Sequence, residues 1–320
     1  MPAHRTLLPL LLLSTLAQAQ QRTIAITFDD LPMTVVGNDH IAGPLDETRF
    51  ISASILHTLA AHHATALGLV NEAKLNVQGE RDARAQLLED WLNAGMILGN
   101  HGYSHREFKD LSLAEYQAEF LRGDVITVPL LQAHHIADRF WRPPYLDTGD
   151  TPAKKQAFDQ FLTAHGYRVA PYTIQDDDWM FNATWDEARR AHNTATLDRT
   201  RAAYLAHITD IFNHAEAQTR GSFGRDIPQI LFIHTDVLNA DTLDQVLTLV
   251  EQRGYHFVSL DQVLADPAYK TPDAFVGPDG LSWLDRWQPA LGHPVHPTVP
   301  EPPTWIRDNY ARITAPIPSK

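Results

Sequence analysis

The feature that most constrains this chain is a repeated alternation of short apolar runs with longer stretches of helical periodicity. Helix-like stretches separate strand-like runs at residues 23–28, 66–70, 96–98, 139–141, 167–170, 229–234 and 256–260. Strands joined through helices pair in parallel, and a parallel sheet needs helices to cover its faces. The pattern predicts an α/β fold of about seven strands, either a barrel or an open doubly wound sheet.

The composition narrows the function classes. Among 320 residues, 26 Lys and Arg stand against 39 Asp and Glu, a formal net charge of −13, and cysteine is absent. A nucleic-acid partner is not expected, because such proteins usually carry a basic surplus to neutralise phosphates. Thiol nucleophiles and cysteine-ligated zinc are excluded. The carboxylates and the 17 histidines remain as possible metal ligands.

The two ends of the chain differ from the middle. Residues 1–19 have the pattern of a secretory signal peptide: a positive start at His4 and Arg5, an apolar run at 7–13 and a small-x-small site at 17–19. The run is shorter than the about 20 residues that span a bilayer. We expect an exported protein, periplasmic or secreted, that leaves the membrane after cleavage. Residues 20–265 form the predicted domain, and the Pro- and Trp-rich residues 266–320 are predicted to be an irregular extension packed on it.

Unusual polar residues follow four of the predicted strands, at the ends where β/α folds place their sites. They are Asp29 with Asp30, His101 with His105, the segment Arg142-Pro143-Pro144-Tyr145, and His234. Each has an ordinary structural explanation when taken alone, as a loop cap, solvated loop histidines, a turn and a hydrogen-bonded core histidine. Taken together they favour one functional site, because all four fall on the same rim.

Two histidines four residues apart suggest a metal site. One helical turn would place His101 and His105 on the same face, where two neutral imidazoles suit a divalent ion. Asp30 adds a carboxylate. Three protein ligands leave positions open for water and substrate, as a hydrolytic metal site requires.

The ordered motifs resemble the polysaccharide deacetylases of carbohydrate esterase family four, which share the NodB-homology domain. The matching order is Thr-Phe-Asp-Asp at 27–30, His-x-x-x-His at 101–105, Arg-Pro-Pro-Tyr at 142–145, an Asp/Trp segment at 176–179 and His234. The similarity covers about residues 22–264. It implies a distorted (β/α) barrel of NodB-homology type and metal-dependent removal of acetyl groups from N-acetylated sugars.

The resemblance also implies a role for each motif residue. In this family pattern Asp29 is the general base, Arg142 orients it, the backbone N–H of Tyr145 binds the oxyanion and His234 is the general acid. Asp30, His101 and His105 correspond to the metal ligands. Zinc is the expected ion, and Co²⁺ or another divalent ion remains open.

Departures from the family pattern leave some roles open. Gln175 stands where an Asp is typical, so that Asp176 and Asp178 are both candidates for supporting the site. Phe232 stands where leucine is frequent, and we expect it to reshape the acyl pocket, while Trp179 is the best candidate to stack on a sugar. Gly102 replaces a frequent Ser or Thr.

Several functions remain compatible with these residues. The expected reaction is hydrolysis of N-acetyl groups on chitin-type or peptidoglycan glycans, with release of acetate. The same site would also suit an O-acetyl xylan esterase or a small-molecule amidase, and a non-catalytic glycan-binding protein is the alternative from another class. The oligomeric state is open. The extension after residue 265 could cover the barrel, extend the substrate groove or mediate dimerisation.

Overall fold

The structure is a computed structural model that describes residues 21–278, 280–295 and 299–315. The predicted signal peptide at 1–19 lies outside the described residues. Within the described ranges, eight strands form one sheet, and every pair of neighbours is parallel. The strands are β1 (Arg22–Leu31), β2 (Ala66–Val70), β3 (Ile97–Asn100), β4 (Phe140–Trp141), β5 (Arg168–Val169), β6 (Ile174–Gln175), β7 (Gln229–His234) and β8 (Tyr255–Phe257).

Helices follow most of the strands and cover the sheet. They are α1 (Leu45–Ala61), α2 (Arg81–Asn93), α3 (Leu113–Arg122), α4 (Thr127–Ala133), α5 (Pro152–Ala164), α6 (Asp178–Arg190), α7 (Thr194–Phe223), α8 (Val237–Gln252), α9 (Leu260–Leu264), α10 (Trp283–Arg286) and α11 (Thr304–Thr314). None of these helices, which cover the described residues only, combines the length and the apolar character that crossing a membrane demands.

The sheet is curled into an incompletely closed barrel. Its strands follow the order β5, β4, β3, β2, β1, β7, β6, and β8 pairs with the start of β1. In a flat sheet the two outer strands, β5 and β6, would be about 29 Å apart, at about 4.8 Å per neighbour. Only residues 170–173 connect them, and so short a segment reaches roughly 18 Å at most. The predicted distorted (β/α) barrel is therefore confirmed.

Two buried clusters hold the strands that carry the site. The main core packs β1 and β7 under α1 and α8, and Ile24, Phe28 and Leu231 are fully buried in it. Burial on both faces explains why these strands are apolar almost throughout. A second cluster of aromatic rings packs α3 and α5 around Trp141, which fixes the end of β4 and the arginine that follows it.

The C-terminal extension is partly helical. The expectation of irregular structure is wrong for Thr304–Thr314, which forms α11. Its apolar residues Ile306, Tyr310 and Ile313 recur at helical spacing, but only Ile306 is buried. Because this stripe spans a single heptad, contacts with the rest of the protein are needed to stabilise the helix.

Candidate active site

The predicted site residues converge on one cavity at the C-terminal rim of the barrel. Parallel pairing aligns the ends of β1, β2, β3 and β7, with Asp29 opposite His234 and Val70 opposite Asn100. The cavity measures about 420 Å³, within the range of small-molecule sites. Its lining includes Asp29, Asp30, His101, His105, Tyr145, Trp179, Phe232 and His234.

Three side chains form a cluster that fits a divalent cation. One ligand atom from each of Asp30, His101 and His105 lies within 4.8 Å of the others, and all three residues are buried. Asp30 Oδ1 is 3.4 Å from His105 Nε2 and 3.8 Å from His101 Nε2. Two atoms bound tetrahedrally to one zinc ion lie roughly 3.4 Å apart. Asp30 Oδ1 is also buried and accepts no hydrogen bond from the described part of the chain, although the ammonium of Lys74 lies 3.3 Å away; its lone pairs are therefore open to a cation.

Both imidazoles of this cluster are suited to metal binding. Nδ1 of His101 lies 2.8 Å from the backbone oxygen of Arg142. A carbonyl oxygen only accepts, so Nδ1 carries the proton and leaves Nε2 free as a ligand. Burial lowers the pKa of His105 well below its usual value, which keeps that ring neutral at pH 7.

The two histidines meet through a loop and not through the helical turn that their spacing suggested. The loop takes left-handed backbone conformations at Gly102, with φ of 75°, and at His105, with φ of 53°. It brings the two rings to a centroid distance of 5.0 Å. A side chain at position 102 would be strained, which explains why glycine stands there.

Arg142 fixes the predicted base. Its Nη1 donates to Asp29 Oδ1 at 2.6 Å, and its Nε and Nη2 donate to the backbone oxygens of Ala170 and Pro171, each at 3.1 Å. The other oxygen of Asp29, Oδ2, lies 3.4 Å from His101 Nε2 and thus beside the metal cluster. Arg142 therefore orients the carboxylate with its side chain and His101 with its carbonyl.

His234, next to Asp29 on the neighbouring strand β7, has a different electrostatic setting. Its Nδ1 is 2.7 Å from Asp178 Oδ1, and its backbone N–H donates to Asp178 Oδ2 at 2.6 Å. Burial disfavours the charged imidazole, but the carboxylate of Asp178 outweighs it and raises the pKa of His234 to about 10. The ring is therefore protonated at neutral pH, and Nε2 is left to donate.

The consecutive aspartates after β6 have different partners. Asp178 contacts His234 directly, whereas Asp176 accepts from the hydroxyl of Tyr204 at 2.8 Å and from the backbone N–H of Asp178 at 3.3 Å. Asp177 pairs with His207 at 3.0 Å. Of the two candidates for a supporting role, Asp178 thus contacts the acid and Asp176 contacts Asp178.

The remaining predicted residues form the cavity wall. The ring of Phe232 lies 4.9 Å from the ring of His234, and the ring of Tyr145 lies 4.4 Å from that of His105. The backbone of Tyr145 is in the left-handed region, with φ of 53°. This conformation costs a non-glycine residue about 1–3 kcal/mol and is frequent at functional sites. Trp179 is half-buried and makes an edge contact with Tyr310. Their roles toward substrate stay predictions.

The sequence analysis missed a buried lysine beside the metal cluster. Lys74 Nζ lies 3.3 Å from Asp30 Oδ1 and 3.4 Å from the backbone oxygen of Asp30. Burial opposes the charge of Asp30, but His105 and Lys74 outweigh it and hold the pKa of Asp30 below its usual value. Lys74 follows β2, so the strand-end argument, if extended to that strand, would have found it.

Comparison with known proteins finds one family model and several solved structures that this chain resembles. Residues 17–170 match the family model "Polysaccharide deacetylase". A mutant of a CE4 family pseudoenzyme with restored enzymatic activity is similar in structure, with a TM-score of 0.50, 16% identity, and coverage of 77% of this chain and 68% of that chain. The wild-type pseudoenzyme from Bacillus anthracis has a TM-score of 0.49 and 15% identity, and the match covers 77% of this chain and 66% of that chain. A family 4 acetyl xylan esterase from Clostridium thermocellum in complex with a cobalt ion has a TM-score of 0.49 and 18% identity, and the match covers 76% of this chain and 90% of that chain.

Proposed function

We propose that this chain, whose residues 17–170 match the polysaccharide deacetylase family model, is an exported, metal-dependent hydrolase of N-acetyl groups on chitin-type or peptidoglycan glycans. The products would be acetate and a free amino sugar. The observation that carries the proposal is the arrangement of one cavity, with Asp29 beside the Asp30–His101–His105 cluster and a protonated His234 opposite. Export rests on the signal-peptide pattern of residues 1–19.

Asp30, His101 and His105 would hold the metal ion. We propose zinc, because catalytic zinc sites use three protein ligands of these types, and Co²⁺ suits a similar donor set. When bound, such an ion polarises a carbonyl oxygen and lowers the pKa of a water molecule. The residues around the cluster then account for the proton transfers.

Asp29 is the proposed base. Arg142 holds its Oδ1, so Oδ2 is the oxygen that takes the proton of the attacking water. The water oxygen bonds to the acetyl carbon, and the carbonyl oxygen becomes an oxyanion. We propose that the backbone N–H of Tyr145 donates to this oxygen, and one such donor contributes about 10²–10³ in rate.

His234 is the proposed acid. The bond between the acetyl carbon and nitrogen can break only if the nitrogen leaves as a neutral amine, so it must receive a proton. Nδ1 of His234 is occupied by Asp178, and Nε2 therefore donates. A carboxylate base and an imidazolium acid that line one cavity form the pair that amide hydrolysis needs.

The test is metal analysis and acetate release on the full purified chain. Chitin oligomers, peptidoglycan and acetylated xylan serve as substrates, and Asp29→Asn serves as the matched variant. We expect a bound divalent metal, acetate from the N-acetylated glycans, and an Asp29→Asn protein that keeps the metal but is about 10²–10⁴-fold slower.

Other outcomes would point elsewhere. Acetate from xylan alone would indicate an esterase. Neither metal nor acetate would favour a non-catalytic glycan-binding protein, a possibility raised by the likeness to a pseudoenzyme. Full activity of Asp29→Asn would show that Asp29 is not the general base.

A further inference from the structure

The C-terminal helix α11 reaches the catalytic cavity. Tyr310 of α11 lines the same cavity as Asp30 and His234. The family match ends at residue 170, so it assigns no role to this helix. Whatever Tyr310 does in the site is a property of this chain's extension.

Helix α11 is anchored firmly on the barrel. Ile306 is fully buried in the main core. The guanidinium carbon of Arg199, on α7, lies 4.0 Å from the ring centre of Trp305. Arg312 donates to both carboxylate oxygens of Glu187, on α6, at 2.8 and 2.5 Å. Three different kinds of contact thus hold α11 as a wall of the cavity.

The far end of α11 meets the loop that follows β1. A Cβ atom at Gly37 would lie 3.4 Å from Cγ2 of Thr314, so the helix end lies close to the loop. The same loop brings Val36 and Asp39 to the cavity. Helix α11 therefore closes the cavity between α6 and the β1 loop.

The groups on this side of the cavity suit a sugar ring. The rings of Tyr310 and Trp179 meet edge to face, with centroids 4.6 Å apart at an interplanar angle of 83°, and both side chains are only half-buried. Across from them, Asp39 Oδ2 lies 3.5 Å from the hydroxyl of Tyr145. Aromatic rings offer apolar area with little loss of entropy, and a carboxylate accepts hydrogen bonds from hydroxyls.

We propose that α11 is a substrate-binding element, in which Tyr310 and Trp179 bind the sugar next to the acetylated one and Asp39 accepts a hydrogen bond from its hydroxyls. This inference rests on the proposed glycan substrate. It selects the groove role for the extension, because Tyr310 faces the cavity that holds Asp29 and His234. An oligomer would then bind better than a single acetylated sugar.

The test compares Tyr310→Ala, Tyr310→Phe and the control Asp308→Ala, an exposed change on the same helix. The metal-loaded proteins hydrolyse chitin oligomers and an aryl acetate, which needs only the metal cluster and the base. For Tyr310→Ala we expect an about tenfold higher KM on oligomers, equivalent to about 1.4 kcal/mol, with kcat and the aryl acetate unchanged. Tyr310→Phe and Asp308→Ala should match the parent. The variant Asp39→Asn should also have a higher KM for oligomers and an unchanged KM for the aryl acetate.

A direct binding measurement separates this inference from the proposed reaction. Oligomer binding is followed by tryptophan fluorescence in the parent and in Tyr310→Ala. If the parent releases no acetate but binds oligomers, and Tyr310→Ala binds about tenfold more weakly, the reaction fails and the role of α11 stands. Equal KM and equal binding in a folded Tyr310→Ala would overturn the role of α11, as would an equal loss on aryl acetate or a parent that binds no oligomer.

Discussion

His105 and His234 line the same cavity but have opposite protonation states. Nδ1 of His101 faces a backbone carbonyl, and burial keeps the neighbouring His105 neutral with a lowered pKa. Nδ1 of His234 faces the carboxylate of Asp178, and its pKa is raised to about 10. The rings of His101 and His105 thus have the properties of metal ligands, whereas the ring of His234 has those of a proton donor.

The difference teaches that the partner of Nδ1 decides what a strand-end histidine can do. A carbonyl partner fixes the tautomer without adding a charge, so Nε2 keeps a lone pair for a metal. A carboxylate partner stabilises the imidazolium, so Nε2 keeps a proton to give. Burial by itself lowers the pKa of both His105 and His234, and only the carboxylate beside His234 reverses that effect.

The largest expected effect comes from removing a ring of the proposed metal site. His101→Ala should weaken metal binding more than roughly 100-fold, since even loss of an outer hydrogen-bond partner of a metal ligand typically costs 10–100-fold. Competition with a chelator measures the affinity without recourse to activity. The control is His57→Ala, an exposed position on α1, which should bind metal like the parent. Unchanged affinity in His101→Ala would exclude this residue from the metal site.

The second largest effect is expected from changing Asp178, the carboxylate partner of His234. His234 must be protonated to act as the acid, so kcat/KM falls as the pH rises through its pKa. Asp178→Asn removes the charge that raises this pKa, and the alkaline limb should move down by more than one pH unit, from about 10 toward the ordinary value of about 6.5. With an ordinary pKa of about 6.5 the ring is about one quarter protonated at pH 7, so kcat/KM should fall about fourfold at pH 7 and about 30-fold at pH 8.

Asp177→Asn is the matched control for that experiment. It removes the same charge one residue earlier, but Asp177 pairs with His207. The alkaline limb of its pH profile of kcat/KM should stay at the pH of the parent. If both variants shift equally, net charge and not the Asp178 contact sets the pKa, and if neither shifts, His234 is not the acid.

The smallest expected effect on metal affinity comes from changing Lys74, the lysine beside Asp30. The ammonium of Lys74 lies 3.3 Å from the oxygen that faces both histidines, where it repels a dication and competes for Asp30. Lys74→Met should therefore tighten metal binding about tenfold, about 1.4 kcal/mol, whereas Lys74→Arg, which keeps the charge, should not. Weaker binding in Lys74→Met would show instead that the lysine acts by holding Asp30 in position.

Much of the site could be predicted because its residues follow apolar strands. Asp29, Asp30, His101 and His234 are each polar residues at or just after such a run, and parallel pairing brings the strand ends to one rim. The loop conformation at His105 was not predictable from spacing, because it depends on left-handed backbone at Gly102 and His105. Lys74 was missed although it follows a predicted strand, since a lone lysine on a loop is ordinarily solvated.

The sequence by itself determined the parallel α/β class and the residues at the strand ends, because periodicity and polarity at those ends are local properties. Only the tertiary structure decided that the sheet curls, that Asp178 and not Asp177 contacts His234, and that Tyr310 meets Trp179. Each of these depends on contacts between residues far apart in the chain, for which one sequence carries no local signal. The protonation states of the histidines belong to the same class, because they follow from partners that only folding brings together.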